Sequence, residues 1–454
     1  MRTMILAAGK GVRMKSKLPK VLHPVCGRAM LLWVLETAKK LGGHVCVVLG
    51  HAAEQVRQVL PSDVEVRVQS EQLGTAHAVM CAQDFIDPND DLMILYGDMP
   101  LIKVETLKEV LDRHKTDEND VTIVSTLMTD PTGYGRILRD PAGRFVRIVE
   151  ESDATDEEKS IQEINTGVYV FRGSSLLEAL PKIRPDNFKK EYYLTDAVAL
   201  MNRVGIHQVR DWKQFVGVND KVQLAFVQKI KQREILEELM LNGVTVLDPE
   251  TTYVDADVEV GPDTTLYPMT FLIGKTKIGE QCVIGPMTRI ENCIVGNRVR
   301  IISSDCVGAT IEDDVSVGPY ARLREGTVLR SNVKIGNFVE VKNSKIGSHT
   351  KAQHLAYLGD ATIGENVNIG AGTITCNFDG KKKNPTFIED EAFIGSNSSL
   401  IAPVRIGRGA VVAAGSVIDE DVPEWSLAIA RCRQTNKLGW VIKKREESGD
   451  AFST

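Results

Sequence analysis

Residues 311–341 read I-E-D-D-V-S-V-G-P-Y-A-R-L-R-E-G-T-V-L-R-S-N-V-K-I-G-N-F-V-E-V, and an aliphatic residue returns at every sixth position. The positions of this register are Ile311, Val317, Leu323, Leu329, Ile335 and Val341. A second unbroken register comprises Ile388, Ile394, Leu400, Ile406, Val412 and Ile418. A six-residue period is typical of a parallel β-helix, whose short strands each point one aliphatic side chain inward. The sequence therefore predicts a β-helix in the second half of the chain.

The limits of the repeat suggest four segments. We place the β-helix at residues 244–430, with an inserted loop where the register breaks between Thr375 and Ile388. Helical spacing over residues 221–243 ends at Gly243, a common residue just past a helix end, and predicts a linker helix. Residues 1–220 form the predicted first domain, and residues 431–454 form a C-terminal tail.

The first domain has a different rhythm. Apolar segments at residues 45–50, 91–97, 121–127 and 167–171 predict strands, and residues 30–41, 72–85 and 104–115 have helical spacing. Strands that alternate with helices are typical of an α/β fold. We therefore expect a mostly parallel sheet with helices on both faces and a ligand site beyond the carboxyl ends of the strands.

Composition narrows the functional classes. A net charge of −6 with 26% charged residues argues against a protein built around nucleic-acid or anionic-membrane binding. The start has no separate signal segment and no apolar run reaches membrane-spanning length, so we expect a cytoplasmic protein. The eight cysteines are scattered without a C-x-x-C pair, which favours reduced thiols over zinc or disulfides.

An anion-binding turn is indicated near the start. Residues 6–20 read L-A-A-G-K-G-V-R-M-K-S-K-L-P-K and follow an apolar run that predicts the first strand. Gly9 and Gly11 let backbone N–H groups approach an anion, and Arg13 and Lys20 add positive charge. The spacing lacks both the Gly-Lys-Ser/Thr of a Walker loop and the third Rossmann glycine. By itself the pattern leaves open an ordinary glycine turn with two surface cations.

The whole 6–20 stretch resembles the signature of sugar-phosphate nucleotidyltransferases, and the hexapeptide half resembles the left-handed β-helix acyltransferases. Their pairing in this order resembles the bifunctional N-acetylglucosamine-1-phosphate uridylyltransferase/glucosamine-1-phosphate N-acetyltransferase family. Further motifs carry the resemblance across nearly the whole chain: Q-S-E-Q-L-G-T-A-H at 69–77, Y-G-D at 96–98, G-Y-G-R-I at 133–137, E-I-N-T-G at 163–167 and Y-Y-L-T-D at 192–196.

The resemblance implies a fold and two reactions. The fold would be an α/β Rossmann-like nucleotidyltransferase domain followed by a left-handed parallel β-helix. Acetyl-CoA would acetylate glucosamine 1-phosphate, and UTP would then give UDP-N-acetylglucosamine for peptidoglycan and outer-envelope polymers, with Mg²⁺ as cofactor and a homotrimer as the assembly. Two alternatives stay open: a pyrophosphorylase for another sugar whose β-helix serves only trimer assembly, and a regulatory protein without catalysis.

The first site is expected at the carboxyl ends of the strands. Asp98 closes an apolar strand and offers the hard oxygen that Mg²⁺ prefers. The resemblance implies Asn219 as its partner ligand, whereas the sequence alone suggests a helix N-cap there. Arg13 suits the triphosphate and Lys20 a phosphate, while His51 and His77 are expected to be structural. The complete predicted set for UTP and UDP-N-acetylglucosamine is Leu6, Ala7, Ala8, Gly9, Lys20, Gln69, Gly74, Thr75, Tyr96, Gly97, Asp98, Gly135, Glu150, Asn165 and Asn219. Within it, the resemblance implies uracil contacts for Gln69, Gly74 and Thr75 and amino-sugar contacts for Gly135, Glu150 and Asn165.

The second site is expected in the β-helix. By resemblance His354 is the catalytic base, and Glu340 could orient and polarise it. The glucosamine-phosphate contacts would be Arg324, Lys342, Tyr357 and Asn368. The acetyl-CoA contacts would be Ala371, Asn377, Phe378, Ser396, Ala414 and Arg431.

Several features near the second site are open or differ from the family. Phe378 stands where the family has tyrosine, so a ring hydroxyl is lost. The lysines at 381–383 either meet phosphate or form a solvated charge run. The tail either covers a coenzyme A site or is partly disordered.

Overall fold

The protein is described from a computed structural model, which covers residues 1–448. The chain folds as two compact units, residues 1–237 and residues 238 onward, and each is described by itself. The predicted divisions at residues 220, 243 and 430 stay predictions, and residues 449–454 of the predicted tail lie outside the described residues. The α-helices are α1 Met30–Lys40, α2 Ala53–Arg57, α3 Thr75–Met80, α4 Val104–Thr116, α5 Asp156–Lys159, α6 Gly173–Ala179, α7 Leu194–Ala199, α8 Lys221–Leu241 and α9 Trp440–Ser448.

A nine-stranded sheet forms the centre of the first unit. Its strands are β1 Arg2–Ala7, β2 His44–Leu49, β3 Glu65–Val68, β4 Asp91–Tyr96, β5 Val121–Leu127, β6 Gly135–Arg139, β7 Phe145–Val149, β8 Glu163–Arg172 and β9 Val204–Val209. The main order is β9-β5-β8-β4-β1-β2-β3, with β6 and β7 joined beside β8. The expected mostly parallel sheet is wrong: the sheet is mixed, because β8 runs antiparallel to β4, β5 and β6, and β6 runs antiparallel to β7. A separate short hairpin joins Pro24–Val25 to Arg28–Ala29.

Helices cover both faces of this sheet, as predicted. Alternate residues of β1 point to opposite faces. Met4 and Leu6 pack in a core with residues of α3, α6 and α7, while Ile5 and Ala7 pack with residues of α1 and α4. Every one of these four β1 side chains is buried. β1 is therefore buried on both faces, and the chain first becomes exposed at Gly9, two residues beyond its carboxyl end.

The predicted helix over residues 72–85 is wrong in extent. The structure has α3 over Thr75–Met80 and a separate 3₁₀ turn over Gln83–Phe85. Gly74 precedes α3 at a φ of 117°, a conformation that β-carbon-bearing residues rarely adopt. A Cβ added there would lie 2.5 Å from the carbonyl oxygen of Tyr192, so the close approach of these two segments requires glycine.

The second unit winds through three all-parallel sheets, and the predicted hexapeptide β-helix is confirmed. The first sheet contains Thr245–Val246, Thr265–Leu266, Val283–Ile284, Arg300–Ile301, Ser316–Val317, Lys334–Asn337, Lys351–His354, Asn368–Ile369, Phe393–Ile394, Val411–Val412 and Leu427–Ala428. The second contains Tyr253–Val254, Thr270–Ile273, Thr288–Glu291, Asp305–Val307, Arg322–Leu323, Glu340–Lys342, Tyr357–Gly359, Ile374–Cys376, Ser399–Ile401 and Val417–Ile418. The third contains Glu259–Val260, Lys277–Ile278, Ile294–Val295, Thr310–Ile311, Val328–Leu329, Lys345–Ile346, Ala361–Ile363, Thr386–Ile388 and Val404–Ile406.

The aliphatic positions of both sequence registers fill the interior of the β-helix. All of them are buried, with exposures of 4% or less. The predicted inserted loop is present between Cys376 and Thr386, and the register resumes because Ile388 pairs with Ile363 in the preceding coil. Within residues 1–448, no helix combines the length and apolar character needed to cross a membrane.

Candidate functional site

Two adjoining cavities open at the carboxyl ends of β1 and β4, with volumes of about 640 and about 270 Å³. The larger is bounded by the start of the glycine turn and by the segment before α3, and the smaller by β6, β8 and the start of α7. The predicted residues along the larger cavity are Leu6, Ala7, Ala8, Gly9, Arg13, Lys20, Gln69, Gly74, Thr75, Tyr96, Asp98 and Asn219. Those along the smaller one are Thr75, Tyr96, Asp98, Gly135, Glu150, Asn165 and Asn219.

Gly97 is the one predicted first-site residue that lines neither cavity. Its backbone N–H donates to the carbonyl oxygen of Leu6 at 2.9 Å. A Cβ added there would lie 3.0 Å from Leu31 Cδ1 and 3.2 Å from Ala7 Cβ. Gly97 therefore allows β1, β4 and α1 to pack closely, and its predicted ligand contact stays a prediction.

Lys20 joins the two predicted metal ligands where the cavities meet. Its ammonium forms an ion pair with Asp98 and donates to Asn219 Oδ1 at 2.8 Å. The Nδ2 of Asn219 donates to the Gly217 carbonyl oxygen at 3.2 Å, which directs Oδ1 towards Lys20. The Cβ position of Gly217 lies 3.9 Å from Asn219 and from both Asp98 oxygens, so the two side chains converge. A carboxylate and an amide oxygen around one cation position fit Mg²⁺, which completes its shell with phosphate and water oxygens.

The helix N-cap suggested for Asn219 is wrong by one residue. Asp220 Oδ1 accepts from the N–H groups of Val222 at 2.9 Å and Gln223 at 2.8 Å, the pattern of an N-cap for α8. Asn219 lies just before the cap, and its own N–H donates to Gln223 Oε1 at 2.7 Å. The first turn of α8 therefore fixes the Asn219 backbone and leaves its side chain for the cavity.

The smaller cavity contains the three residues predicted to contact the sugar. Gly135 and Asn165 are strand partners on β6 and β8, and Glu150 directly follows β7. Burial raises the pKa of Glu150, whose Oε1 accepts from the Thr195 hydroxyl at 3.3 Å. Asn165 Nδ2 donates to the Tyr169 hydroxyl at 2.7 Å. These contacts hold polar groups along the wall of the smaller cavity.

The sequence analysis gave no role to Arg136, although it lies in the quoted G-Y-G-R-I motif. Arg136 is 1% exposed, the most unusual burial of a charge in this unit. Its guanidinium pairs with Glu151 at 2.8 Å, donates to the Tyr134 carbonyl oxygen and donates to the Lys159 carbonyl oxygen at 3.2 Å. It thus ties together the segments that precede and follow the sugar-facing residues. The sequence did not predict this burial, because it depends on contacts with Glu151 and Lys159 that form only when the chain is folded.

Replacing Arg136 with methionine should lower stability by about 2 kcal/mol, because the Glu151 carboxylate loses its partner but is partly solvated. The thermal midpoint of the first unit should fall by about 4–8 °C. We also expect a roughly 10-fold increase in KM for the sugar phosphate, since residues on both sides of the cavity lose their anchor. Arg147→Met is the control, because Arg147 pairs with Glu158 on the exposed side of the same hairpin. Equal effects of the two substitutions, in calorimetry and in kinetics, would contradict this role for Arg136.

Three of the six predicted coenzyme A residues form a line along the β-helix with His354. His354 lies two residues after Ala352, and Ala371, Ser396 and Ala414 lie two residues after the partners of Ala352 in successive coils. Those partners are Ile369, Ile394 and Val412. Backbone hydrogen bonds join the line, including Asn397 N–H to Ala371 O at 2.7 Å and Gly415 N–H to Ser396 O at 2.8 Å. The small side chains therefore follow one corner of the solenoid from the candidate base.

The structure gives His354 and Glu340 different partners, so the orienting role of Glu340 stays a prediction. His354 Nδ1 contacts Asn337 Oδ1 at 2.7 Å, and the two residues are strand partners in adjacent coils. Glu340 lies on the second sheet and pairs with Arg324 at 2.9 Å. Since the Asn337 oxygen can only accept, His354 Nδ1 carries the hydrogen and Nε2 holds the lone pair that a base needs. Asn337 lies 17 residues before His354, which is one turn of the β-helix, so the length of a coil could have predicted this pair.

Three cations face the same part of the second sheet. Arg324 and Lys342 each lie one residue after the paired strand residues Leu323 and Val341. The ammonium of Lys383 beside Lys342, together with Arg324, lowers the pKa of Lys342. Of the three consecutive loop lysines, Lys383 is the one beside Lys342. The sequence alone did not distinguish it from Lys381 and Lys382.

The inserted loop holds its shape through Asp379. Its carboxylate accepts from the N–H groups of Lys381 and Lys382 at 2.9 Å and from Asn384 Nδ2 at 2.9 Å. The backbone hydrogen bond from Lys382 is the largest cause that lowers the Asp379 pKa to about 2. An ionised Asp379 thus organises the turn that carries the lysines.

Tyr357 and Asn377 lie next to this cation cluster. Asn377 Nδ2 lies 3.4 Å from the Tyr357 hydroxyl and donates to Asp360. Phe378 is 60% exposed and forms an antiparallel bridge with Lys383. The ring is therefore available to a ligand rather than committed to the core.

Asn368 is separate from the other predicted sugar-phosphate residues within one chain. It lies on the first sheet and pairs with Lys351, whereas Arg324, Lys342 and Tyr357 follow the second sheet. Arg431 approaches the coenzyme A line, with its Cδ 3.8 Å from the Cβ position of Gly415.

Comparisons with known proteins agree with both halves. Sequence profiles match the MobA-like NTP transferase domain at residues 3–186, the GMPPB C-terminal domain at 248–353 and the hexapeptide repeat of succinyl-transferase at 385–420. The bifunctional protein GlmU of Thermotoga maritima is 59% identical over 447 residues, covering 98% of this chain and 100% of the relative. The chain belongs to the GlmU family. GlmU of Pseudothermotoga lettingae is 60% identical over 99% of this chain and 100% of its own length, and that of Thermosipho africanus is 55% identical over 100% of both.

Family membership confirms the resemblance drawn from the motifs. The chain is a bifunctional acetyltransferase and uridylyltransferase that produces UDP-N-acetylglucosamine. The alternatives of a single-activity pyrophosphorylase and a non-catalytic regulator are therefore set aside.

Proposed function

We propose that the cavities of the first unit carry out uridylyl transfer and that the His354 corner of the β-helix carries out acetyl transfer. The observation that carries the first assignment is the convergence of Lys20, Asp98 and Asn219 where the two cavities meet. The larger cavity would take UTP and the smaller one N-acetylglucosamine 1-phosphate. The α-phosphate of UTP would then lie between them, beside the cation cluster.

In uridylyl transfer the protein aligns two anions and lowers their repulsion. The sugar-phosphate oxygen attacks the α-phosphorus of UTP, and the bond to pyrophosphate breaks. Lys20 and Arg13 would supply positive charge, with Arg13 towards the triphosphate. Asp98 and Asn219 would hold Mg²⁺, which when bound neutralises charge on the phosphates.

In acetyl transfer His354 acts as the base. The glucosamine nitrogen attacks the thioester carbonyl carbon, His354 Nε2 takes a proton from that nitrogen, and the carbon–sulfur bond breaks to release the thiolate, which is protonated to CoA thiol. Asn337 would fix the imidazole in the required tautomer. Arg324, Lys342 and Lys383 would hold the sugar phosphate, while the pantetheine arm would lie along Ala371, Ser396 and Ala414.

Lys383→Ala should increase KM for glucosamine 1-phosphate by about 10-fold with a smaller change in kcat, because one charged donor to the phosphate is lost. Lys381→Ala is the matched control, since it removes the same charge from the same loop. Steady-state kinetics with saturating acetyl-CoA measure both variants. An increase in KM for Lys381→Ala that equals or exceeds the increase for Lys383→Ala would contradict the assignment of the phosphate contact to Lys383.

We also propose a cytoplasmic homotrimer, as the family resemblance implies. Exposed apolar side chains precede the coenzyme A line at the same corner of the β-helix, notably Tyr320, Phe338 and Leu355 at 56%, 56% and 60% exposure. Leu355 directly follows His354, so a second copy seated on this corner would also close the acetyl-transfer site. Asn368, which one chain leaves apart, would then reach the neighbouring copy's site.

The test supplies acetyl-CoA, glucosamine 1-phosphate, UTP and Mg²⁺ and follows CoA thiol and pyrophosphate together. We expect both products, with pyrophosphate delayed until acetylated sugar accumulates. Chelation of the metal should stop pyrophosphate release and leave CoA release intact. Failure to release CoA would contradict the acetyl-transfer assignment, and failure to release pyrophosphate from UTP and N-acetylglucosamine 1-phosphate would contradict the other.

A further inference from the structure

The amide of Gln69 is held in one orientation by the protein itself. Gln69 is 3% exposed and lines the larger cavity. Its Nε2 lies 3.0 Å from the Gly74 carbonyl oxygen and 3.0 Å from His77 Nδ1. An amide nitrogen has two hydrogens, so these two acceptors use its whole donor capacity. Across residues 1–448, the Oε1 of Gln69 has no hydrogen-bond donor and remains available to a ligand in the cavity.

His77 provides one of the two acceptors that fix the orientation of the Gln69 amide. Its Nδ1 accepts from Gln69, which places the imidazole hydrogen on Nε2, 3.9 Å from Cys81 Sγ one helical turn later. The main chain of Gln69 is also fixed, because its N–H donates to Leu49 O at 2.7 Å. Without an acceptor at His77, only the Gly74 carbonyl oxygen would oppose rotation of the amide, and the orientation that presents N–H to the cavity would become more accessible.

We propose that His77 is a positioning residue for nucleotide selection, which fixes Gln69 so that only an acceptor faces the base and uracil is selected over cytosine. This inference rests on the proposed binding of UTP in the larger cavity. Uracil presents an N–H at N3, which the Gln69 oxygen can accept. Cytosine has a lone pair at N3, so the two acceptors would face each other without a hydrogen. His77 itself need not contact the nucleotide.

The experiment compares kcat/KM for UTP and for CTP at saturating N-acetylglucosamine 1-phosphate. His77→Leu removes the acceptor, and His77→Asn keeps one near the position of Nδ1. We expect the UTP-to-CTP ratio to fall by about 10-fold or more in His77→Leu and to stay within about three-fold of the parent in His77→Asn. The KM for the sugar phosphate should not change. His207→Leu is the matched control, because His207 is a half-buried histidine of the same unit outside both cavities.

Acetyl transfer by the same chain and the thermal midpoint report whether each variant is folded, and His77→Ala is measured alongside as a smaller replacement. An unchanged ratio in folded His77→Leu and His77→Ala would overturn the inference, as would equal losses of selectivity in His77→Leu and His77→Asn. If the parent enzyme used no UTP at all, the proposed function would fail instead, so the two failures are distinct.

Discussion

Replacing His354 with alanine is expected to lower acetyl transfer by about 10²- to 10⁴-fold and to leave uridylyl transfer unchanged. The imidazole is exposed at the corner of the β-helix, and its Nδ1 contact with Asn337 leaves Nε2 as the free base. The substitution removes that base without opening the core. Release of CoA thiol measures the loss, and pyrophosphate release from supplied N-acetylglucosamine 1-phosphate measures what is retained.

His349→Ala is the control for this experiment, since His349 is an exposed histidine in the same coil. Asn337→Leu should cause an intermediate loss, because the imidazole remains but its orientation is no longer fixed. Acetyl transfer in His354→Ala within about three-fold of the parent would show that the base lies elsewhere.

Asp98→Ala is expected to reduce uridylyl transfer by about 10³-fold and to spare acetyl transfer, because the proposed metal loses its carboxylate ligand and Lys20 loses its partner. Pyrophosphate release at increasing Mg²⁺ concentration checks the result, and excess metal should recover only part of the rate. Asp91→Asn provides the control, since Asp91 begins the strand whose far end leads to Asp98. A rate for Asp98→Ala that matches Asp91→Asn would exclude Asp98 from the site.

The fold was predictable wherever a local rule repeats. Each coil of the β-helix buries one aliphatic side chain per strand, so the six-residue register identified the interior without knowledge of tertiary contacts. The α/β alternation was similarly informative, but the antiparallel position of β8 depends on which strands pair. The overlong helix over residues 72–85 failed because Gly74 meets Tyr192, a contact between segments distant in sequence.

The sequence indicated residues that the structure brings to the two cavities, but it did not indicate their contacts. Lys20, Asp98 and Asn219 were singled out by resemblance to the family, and the structure brings the three together. The partner of His354 depends instead on the lateral register between coils. Glu340 is closer in sequence to His354 than Asn337 is. It nevertheless lies on the second sheet, where it pairs with Arg324, whereas His354 lies on the first sheet. Arg136 illustrates the same limit, because its buried ion pair becomes visible only once the hairpin is folded.

The uninterrupted stacking of the early coils has an evolutionary consequence. Leu266, Ile284, Ile301 and Val317 occupy equivalent places in successive coils, and the second-site residues begin only at Arg324. Duplication or deletion of one complete coil in that region would lengthen or shorten the solenoid without rearranging the chemistry beyond it. Gain or loss of a single residue within a strand would instead expose its aliphatic side chain. Selection can therefore vary the length of this enzyme in whole coils.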